Sequence, residues 1–276
     1  MKKIISLTVL AFAIAFSGCS TAEPKIEGGV TVEKMVPAYR IGAYVNETVA
    51  KEKLVAAGFE VVGTYKSFDK GTTILYTNEA MKSEAAKPMR GFAAVGRLLL
   101  DEERNQIHIA NPIYFSKAFM QEQYNHATAS ATYLALDKAF GPLTNSADQW
   151  AFDGLANYHF MVSMPYYQNM DIVGEGNNAD LVAKAKAAKG TVVALGGDRY
   201  LAFVDLDKRT SGFVKKIGTQ NGEILPWAVL IEEGKAKALN AKYFIAISYP
   251  LLDMGGFMGI MTVPDSVIKS LEKTFK

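Results

Sequence analysis

The chain of 276 residues has a single cysteine, three histidines and two tryptophans. Cys19, standing alone, permits no internal disulfide and no thiolate metal cluster. His108, His126 and His159 are far apart in sequence, so each reads as a structural or surface residue rather than part of a zinc or catalytic centre. The sequence has no Gly-x-Ser-x-Gly elbow, no His-Glu-x-x-His, no Walker loop and no Cys-x-x-Cys. A surplus of one charge is also missing. The chain carries 30 basic and 28 acidic residues, and losing Lys2 and Lys3 with a leader would leave 28 of each. Such a body has no electrostatic footprint for DNA or RNA, so no nucleic-acid partner is expected. What is plentiful is apolar material. With 49% hydrophobic and 21% charged residues, the composition excludes collagenous, low-complexity and wholly disordered classes.

Residues 1–18 read as a secretory signal peptide. Lys2 and Lys3 form a positive start, and Ile4–Phe16 is an apolar run of 13 residues interrupted by Ser6 and Thr8. At about 1.5 Å per residue that run is short for a bilayer span, and no stop-transfer charges follow. It ends in Phe16-Ser17-Gly18-Cys19, which resembles the bacterial lipobox, with Phe16 where that motif usually has an aliphatic residue. The resemblance implies that Cys19 carries a thioether-linked diacylglycerol and an N-acyl chain of the palmitate type. At about 0.8 kcal/mol per buried methylene, two or three chains make a lasting anchor. Ser20 after the cysteine, rather than Asp, resembles the sorting pattern for the outer membrane of a Gram-negative envelope, with the body facing the periplasm. Residues 19–29 then read as a lipidated tether with too little apolar content to pack.

From Val30 onward one order of elements occurs twice. In residues 30–125, Tyr39–Val45 alternates as a strand, Asn46 or Thr48 caps a helix to Ala57, and Gly58 stops it. Phe59–Tyr65 and Thr72–Thr77 read as strands, Asn78 caps a helix over Glu79–Lys87, and Phe92–Leu100 and Gln106–Ala110 are strands around a charged turn. In residues 150–276, a strand over Met170–Gly174 leads to a helix capped by Asn177 or Asn178 and stopped by Gly190. Thr191–Leu195, Tyr200–Leu206, Ile224–Glu232 and Tyr243–Tyr249 read as strands, Thr210 caps a short helix to Ile217, and Pro264 opens a terminal helix. Leu98-Leu99-Leu100-Asp101-Glu102 parallels Val229-Leu230-Ile231-Glu232-Glu233, and Phe119-Met120 parallels Phe257-Met258. These matches in fixed order argue duplication. Between the copies, residues 126–149 read as a linker helix followed by a loop. The expected class is α+β, each unit a mostly antiparallel sheet with helices on one face.

The run from Leu54 to Met120, with its helix ending in Gly58-Phe59-x-Val61, its Asn78-headed short helix and its strand–turn–strand ending in acids, resembles the bacterial domain of unknown function 302. Leu225-Pro226-Trp227-Ala228-Val229-Leu230-Ile231-Glu232 resembles the same strand of that domain in the second copy. The resemblance covers most of residues 35–270 as tandem copies. It implies a TATA-binding-protein-like fold for each unit and no established activity.

Chemistry-bearing candidates are few. Gly174-x-Gly176-x-x-Ala179 sits between a strand and a helix as a dinucleotide fingerprint would, but a helix-opening turn accounts for it more simply. The acids Asp101, Glu102, Glu103, Glu232 and Glu233 lie in turns and are expected to be solvated. One concentration stands out at Tyr158–Tyr167. Read as a strand, it puts His159 and Met161 side by side, and with Met164 and Met170 that gives a thioether and imidazole set suited to Cu(I). Core packing by methionine accounts for the same residues, as it does for Met254, Met258 and Met261. Tyr158, His159, Met161, Met164 and Trp227 are the candidates for binding a small ligand, in a cleft between the copies. The leading reading is therefore a non-enzymatic envelope lipoprotein that binds a small ligand or a protein partner without a cofactor. Copper handling is the alternative. Replacing Cys19 with Ala is expected to leave the protein unlipidated, because only its sulfur can take the diacylglycerol. Mass spectrometry of the wild-type N-terminus showing an ordinary free amine and no lipid would contradict this.

Overall fold

The computed structural model describes residues 30–276, so the leader, Cys19 and the tether lie outside the described residues. The first half contains β1 (Met35–Pro37), β2 (Tyr39–Ala43), α1 (Glu47–Ala56), β3 (Glu60–Phe68), β4 (Gly71–Thr77) and α2 (Glu79–Ala85). A 3-10 turn at Gly91–Ala94 then leads to β5 (Gly96–Asp101), β6 (Gln106–Ala110), α3 (Pro112–Met120), α4 (His126–Phe140) and β7 (Thr144–Asn145). A connecting stretch holds β8 (Gln149–Ala151) and α5 (Phe152–Leu155). The second half runs β9 (Asp171–Glu175), α6 (Asn178–Ala187), β10 (Thr191–Gly196), β11 (Arg199–Val204), α7 (Lys208–Ser211) and α8 (Val214–Ile217). It continues through a 3-10 turn at Thr219–Ile224 to β12 (Trp227–Glu232), β13 (Lys235–Ala238), α9 (Ala241–Ser248), α10 (Met254–Gly259) and α11 (Val263–Phe275). The protein is α+β, with antiparallel pairing throughout its described sheets.

Asparagine starts the helices of both halves. The Asn46 side chain accepts from the Val49 N–H at α1, and Asn177 accepts from the Asp180 N–H at α6, 131 positions later. Asn111 and Asn240 do the same for α3 and α9. Strand order repeats as well. The larger sheet is ordered β3-β4-β5-β6-β2-β7, and the second β10-β11-β12-β13-β9. In order, α3 therefore answers to α9, and Phe257-Met258 lies beyond it in α10. The expected pairing of Phe119-Met120 with Phe257-Met258 does not hold.

Over their central strands, these two sheets bury both faces. On one face of the first, Ile74, Tyr76, Leu98 and Ile109 pack with Ala50 and Leu54 of α1 and with Leu136 and Phe140 of α4. The stretch expected to be a linker thus supplies a core helix, and β7 extends the sheet beside β2. The other face joins a larger core that continues through Leu201, Phe203, Trp227 and Leu230 of the second half. The contact between halves is reciprocal. The turn Gly91–Ala94 packs on β11 and β12, and the turn Thr219–Ile224 packs on β4 and β5. The approach is close: a Cβ on Gly91 would displace the Leu230 side chain, and one on Gly222 would lie 2.7 Å from the Phe68 ring.

Several expected elements are corrected. Tyr243–Tyr249 is not a strand but most of α9. Its residues are buried on every side, and a short apolar run without periodicity fits a strand or a buried helix equally. The strand that does occupy this place in the sheet, β13, has the sequence Lys-Ala-Lys-Ala, which carries little β propensity. It forms because Glu233 (φ 54°) and Gly234 (φ 73°) turn the chain tightly back from β12. The segments before β5 and β12 are 3-10 turns rather than strand extensions. Asp207, not Thr210, caps α7. After α6 the left-handed residue is Lys189 (φ 61°), while Gly190 is required because a Cβ there would meet the Phe203 and Ala185 carbonyls. Tyr158–Tyr167 is irregular, with no strand.

Candidate functional site

A cavity of about 80 Å³ lies in the seam, lined from both halves. Its walls are largely apolar: Phe92, Phe115, Phe119, Leu201, Phe203 and Phe244 all face it. It reaches the surface beside α2 and α4, where Met81 and Thr128 are half-buried and Asn125 is exposed. At its inner end stand two buried charged side chains, Arg97 of β5 and Glu223 of the turn before β12.

Arg97 crosses the seam. Its Nη1 donates to the Glu223 carbonyl at 2.8 Å and its Nη2 to the Pro226 carbonyl at 2.8 Å. The guanidinium also lies over the rings of Phe203 and Phe244, at 5.3 and 5.8 Å. Burial lowers its pKa to about 10, with Tyr249, Tyr39 and Glu223 opposing, so it stays charged at neutral pH. Glu223 is 1% exposed, and neither carboxylate oxygen has a hydrogen-bond partner. Burial drives its pKa well above the ordinary carboxylate range. Asp148 and Asp101 push the same way, while its own N–H and Arg97 pull down without prevailing. Tyr39 and Tyr249 stack beside this pair with ring centroids 6.0 Å apart, and the Tyr249 hydroxyl donates to the Asn221 carbonyl at 2.6 Å. The buried Tyr76 hydroxyl, also at the cavity, has no partner. The inner end therefore offers a permanent cation and a carboxyl whose raised pKa favours the protonated form, able to donate or accept.

The residues singled out in the sequence lie elsewhere. Tyr158 is buried with its hydroxyl already donated to the Ala246 carbonyl, and its ring meets Trp150 and Tyr243. Trp227 is fully buried against Phe244 and does not line the cavity. His159 and Met161 are not strand neighbours. The His159 Nδ1–H donates to the Met161 carbonyl at 2.8 Å, and its ring lies 4.4 Å from that of Tyr166. Met161, Met254, Met258 and Met261 are exposed rather than core, Met164 is half-buried, and Met170 packs partly against the larger core. Among the described residues no three His, Cys, Asp or Glu side chains gather as metal ligands.

The other histidines are structural. His126 Nε2 lies 2.9 Å from both the Val30 carbonyl and the Ser130 hydroxyl. His108 is buried, and burial lowers its pKa to about 4. The turn acids divide instead of being uniformly solvated. Glu102, Glu103 and Glu233 are exposed, whereas Asp101 and Glu232 point inward. Asp101 accepts from the N–H groups of Glu103 and Arg104. Glu232 takes Lys237 at 2.8 Å, Arg199 at 3.2 Å and the Met89 N–H at 3.1 Å.

Comparisons with protein-family models, curated proteins and solved structures find no match to this chain, so the site stands on its own geometry. Sequence reasoning passed over both Arg97 and Glu223. A usable signal existed in each: one charge inside an otherwise apolar stretch, Val95–Leu100 and Gly222–Trp227.

A carboxyl whose pKa rises on folding stabilises the fold fully below its unfolded pKa of about 4.3, and that contribution is lost as pH climbs toward the folded value. Glu223→Gln removes the dependence. Urea unfolding of both proteins from about pH 4 to about pH 8 is expected to show the variant gaining on wild type with pH, at up to about 1.4 kcal/mol per unit. Asp148, Asp171 and Asp205 are shifted alike in both proteins and cancel in the difference. Parallel curves would contradict an uncharged Glu223.

Proposed function

We propose that the chain is a cell-envelope lipoprotein, anchored by lipid at Cys19 and facing the periplasm from the outer membrane. In this reading its two tandem units bind one small, largely apolar ligand in the seam between them. The units are read as two copies of the TATA-binding-protein-like layout that the resemblance to domain of unknown function 302 implies. The repeated strand order and the paired Asn caps support that. The leader and lipobox carry the anchoring part.

One observation carries the binding part: a buried carboxyl with both oxygens unpartnered faces an apolar-walled cavity. A buried polar group without a partner costs about 1–3 kcal/mol, more if charged, so its retention points to a partner supplied by a ligand. The copper reading at His159, Met161, Met164 and Met170 drew on strand geometry, and without that strand the cavity is the stronger basis for function.

The test uses the two tryptophans. Trp150→Phe leaves Trp227, which touches the cavity wall through Phe244 at 5.1 Å between centroids, as a fluorescent reporter. Titration with 1-hexanol is expected to give a saturable 1:1 change. Adding Ala228→Leu, which places a larger side chain in the cavity, is expected to abolish it. A saturable response unaltered by Ala228→Leu, or the absence of saturable binding by hexanol and by its charged analogues of the same length, would overturn the reading.

A further inference from the structure

The two charges at the inner end of the cavity do not compensate each other. Arg97 forms no ion pair among the described residues. Its two bonded nitrogens go to neutral carbonyls, and aromatic faces cover it. The Glu223 carboxylate makes no hydrogen bond to Arg97, and burial raises its pKa well above the carboxylate range, so it is a poor counter-ion for the guanidinium. A buried guanidinium cannot neutralise itself by losing a proton at neutral pH, so the protein itself leaves a positive charge unbalanced at the cavity. The remaining groups around Glu223 that could alter this balance are Tyr39, Tyr249, Asp148 and Asp101. Both tyrosines are pushed upward and stay neutral. Asp101 is committed to Arg104 and two turn N–H groups, and Asp148 to the Leu251 N–H. At the outer end the acid Glu84 is engaged by Lys87 at 3.1 Å and Asn125 at 2.6 Å, so it presents no bare charge to an arriving anion.

We propose that the seam cavity takes a short monocarboxylate with an apolar body, its carboxylate paired with Arg97 and hydrogen-bonded by the Glu223 carboxyl acting as donor. The proposal rests on the reading of the seam as a ligand site and names the class of ligand. The anion balances Arg97, the Glu223 proton gains an acceptor, and the phenyl walls take the hydrocarbon. An amine would set a second cation beside Arg97, and a neutral alcohol would leave the guanidinium unbalanced. Size follows from volume. At about 10–15 Å³ for each water site, the cavity accommodates about five to eight non-hydrogen atoms, which a six-carbon acid fills.

The experiment compares hexanoate, 1-hexanol and hexylamine by Trp227 fluorescence in the Trp150→Phe protein at about pH 7, where hexanoate is ionised. Hexanoate is expected to bind about tenfold or more tightly than either of the others, since charge-assisted contacts exceed neutral ones. Glu223→Gln keeps an uncharged donor and is expected to retain hexanoate. Glu223→Leu removes the donor and is expected to weaken hexanoate about tenfold while sparing hexanol. Arg97→Lys, which loses the planar fork, is expected to weaken hexanoate selectively. If that variant fails to fold, the ranking of the three probes in the parent protein decides. Hexylamine binding as tightly as hexanoate, or Glu223→Gln losing as much as Glu223→Leu, would overturn the carboxylate class and leave the cavity as a binding site. Binding of none of the three would remove the underlying reading as well.

Discussion

The structure depends on covering the second apolar face of each sheet. Helices α1 and α4 close one side of the first sheet, while on the face that carries Leu75 its own half supplies α3 and the turn Gly91–Ala94 but does not complete the cover over β4 and β5. The turn Thr219–Ile224 from the other half does so, and the turn Gly91–Ala94 returns the service to β11 and β12. A sheet with one apolar face in water would forfeit about 25 cal/mol for every Å² of apolar surface left uncovered, so neither half has reason to be stable alone. Hydrogen bonds across the seam fix the alignment that burial favours. Arg97 is tied to the Glu223 and Pro226 carbonyls, Tyr114 to the Ile247 carbonyl, and Glu232 to the Met89 N–H.

The same constraint leaves a hollow. Two turns and two helices meeting between curved sheets do not fill the space completely, and rings from Phe92, Phe115, Phe119 and Phe244 surround what remains. A cavity that was only a packing defect would be expected to be apolar throughout. This one ends at a guanidinium and an unpartnered carboxyl, positioned on β5 and on the turn that covers it. The joint and the cavity thus meet at one residue, because Arg97 both ties the halves together and places a charge at the cavity.

Much of this was legible from local chemistry. The Asn caps, the strand at Tyr39–Ala43, the strands at Gly71–Thr77 and Gln106–Ala110, and the terminal helix follow from capping side chains, alternation and proline placement. The failures share a cause. Where burial is complete, hydrophobic period disappears, so α9 read as a strand, and where a hairpin turn imposes pairing, β13 formed from residues with little preference for it. The site was less visible than the fold. Aromatic and methionine density drew attention to Tyr158–Tyr167, which the structure leaves irregular, whereas Arg97 and Glu223 lie 126 positions apart. Only the reciprocal packing of the halves brings them together. A lone charge in an apolar run marks a residue that tertiary structure must explain, and no local rule names its partner.

The central claim is that the seam makes the two halves one cooperative body. Leu54 of α1 and Leu181 of α6 are fully buried, one under each sheet and remote from the seam cavity. Equilibrium urea unfolding of Leu54→Ala and Leu181→Ala, followed by both far-ultraviolet circular dichroism and Trp227 fluorescence, tests it directly. The account predicts a single transition, coincident by both probes, displaced by about 2–5 kcal/mol in either variant. Two separable transitions, each moved by only one of the substitutions, would contradict it.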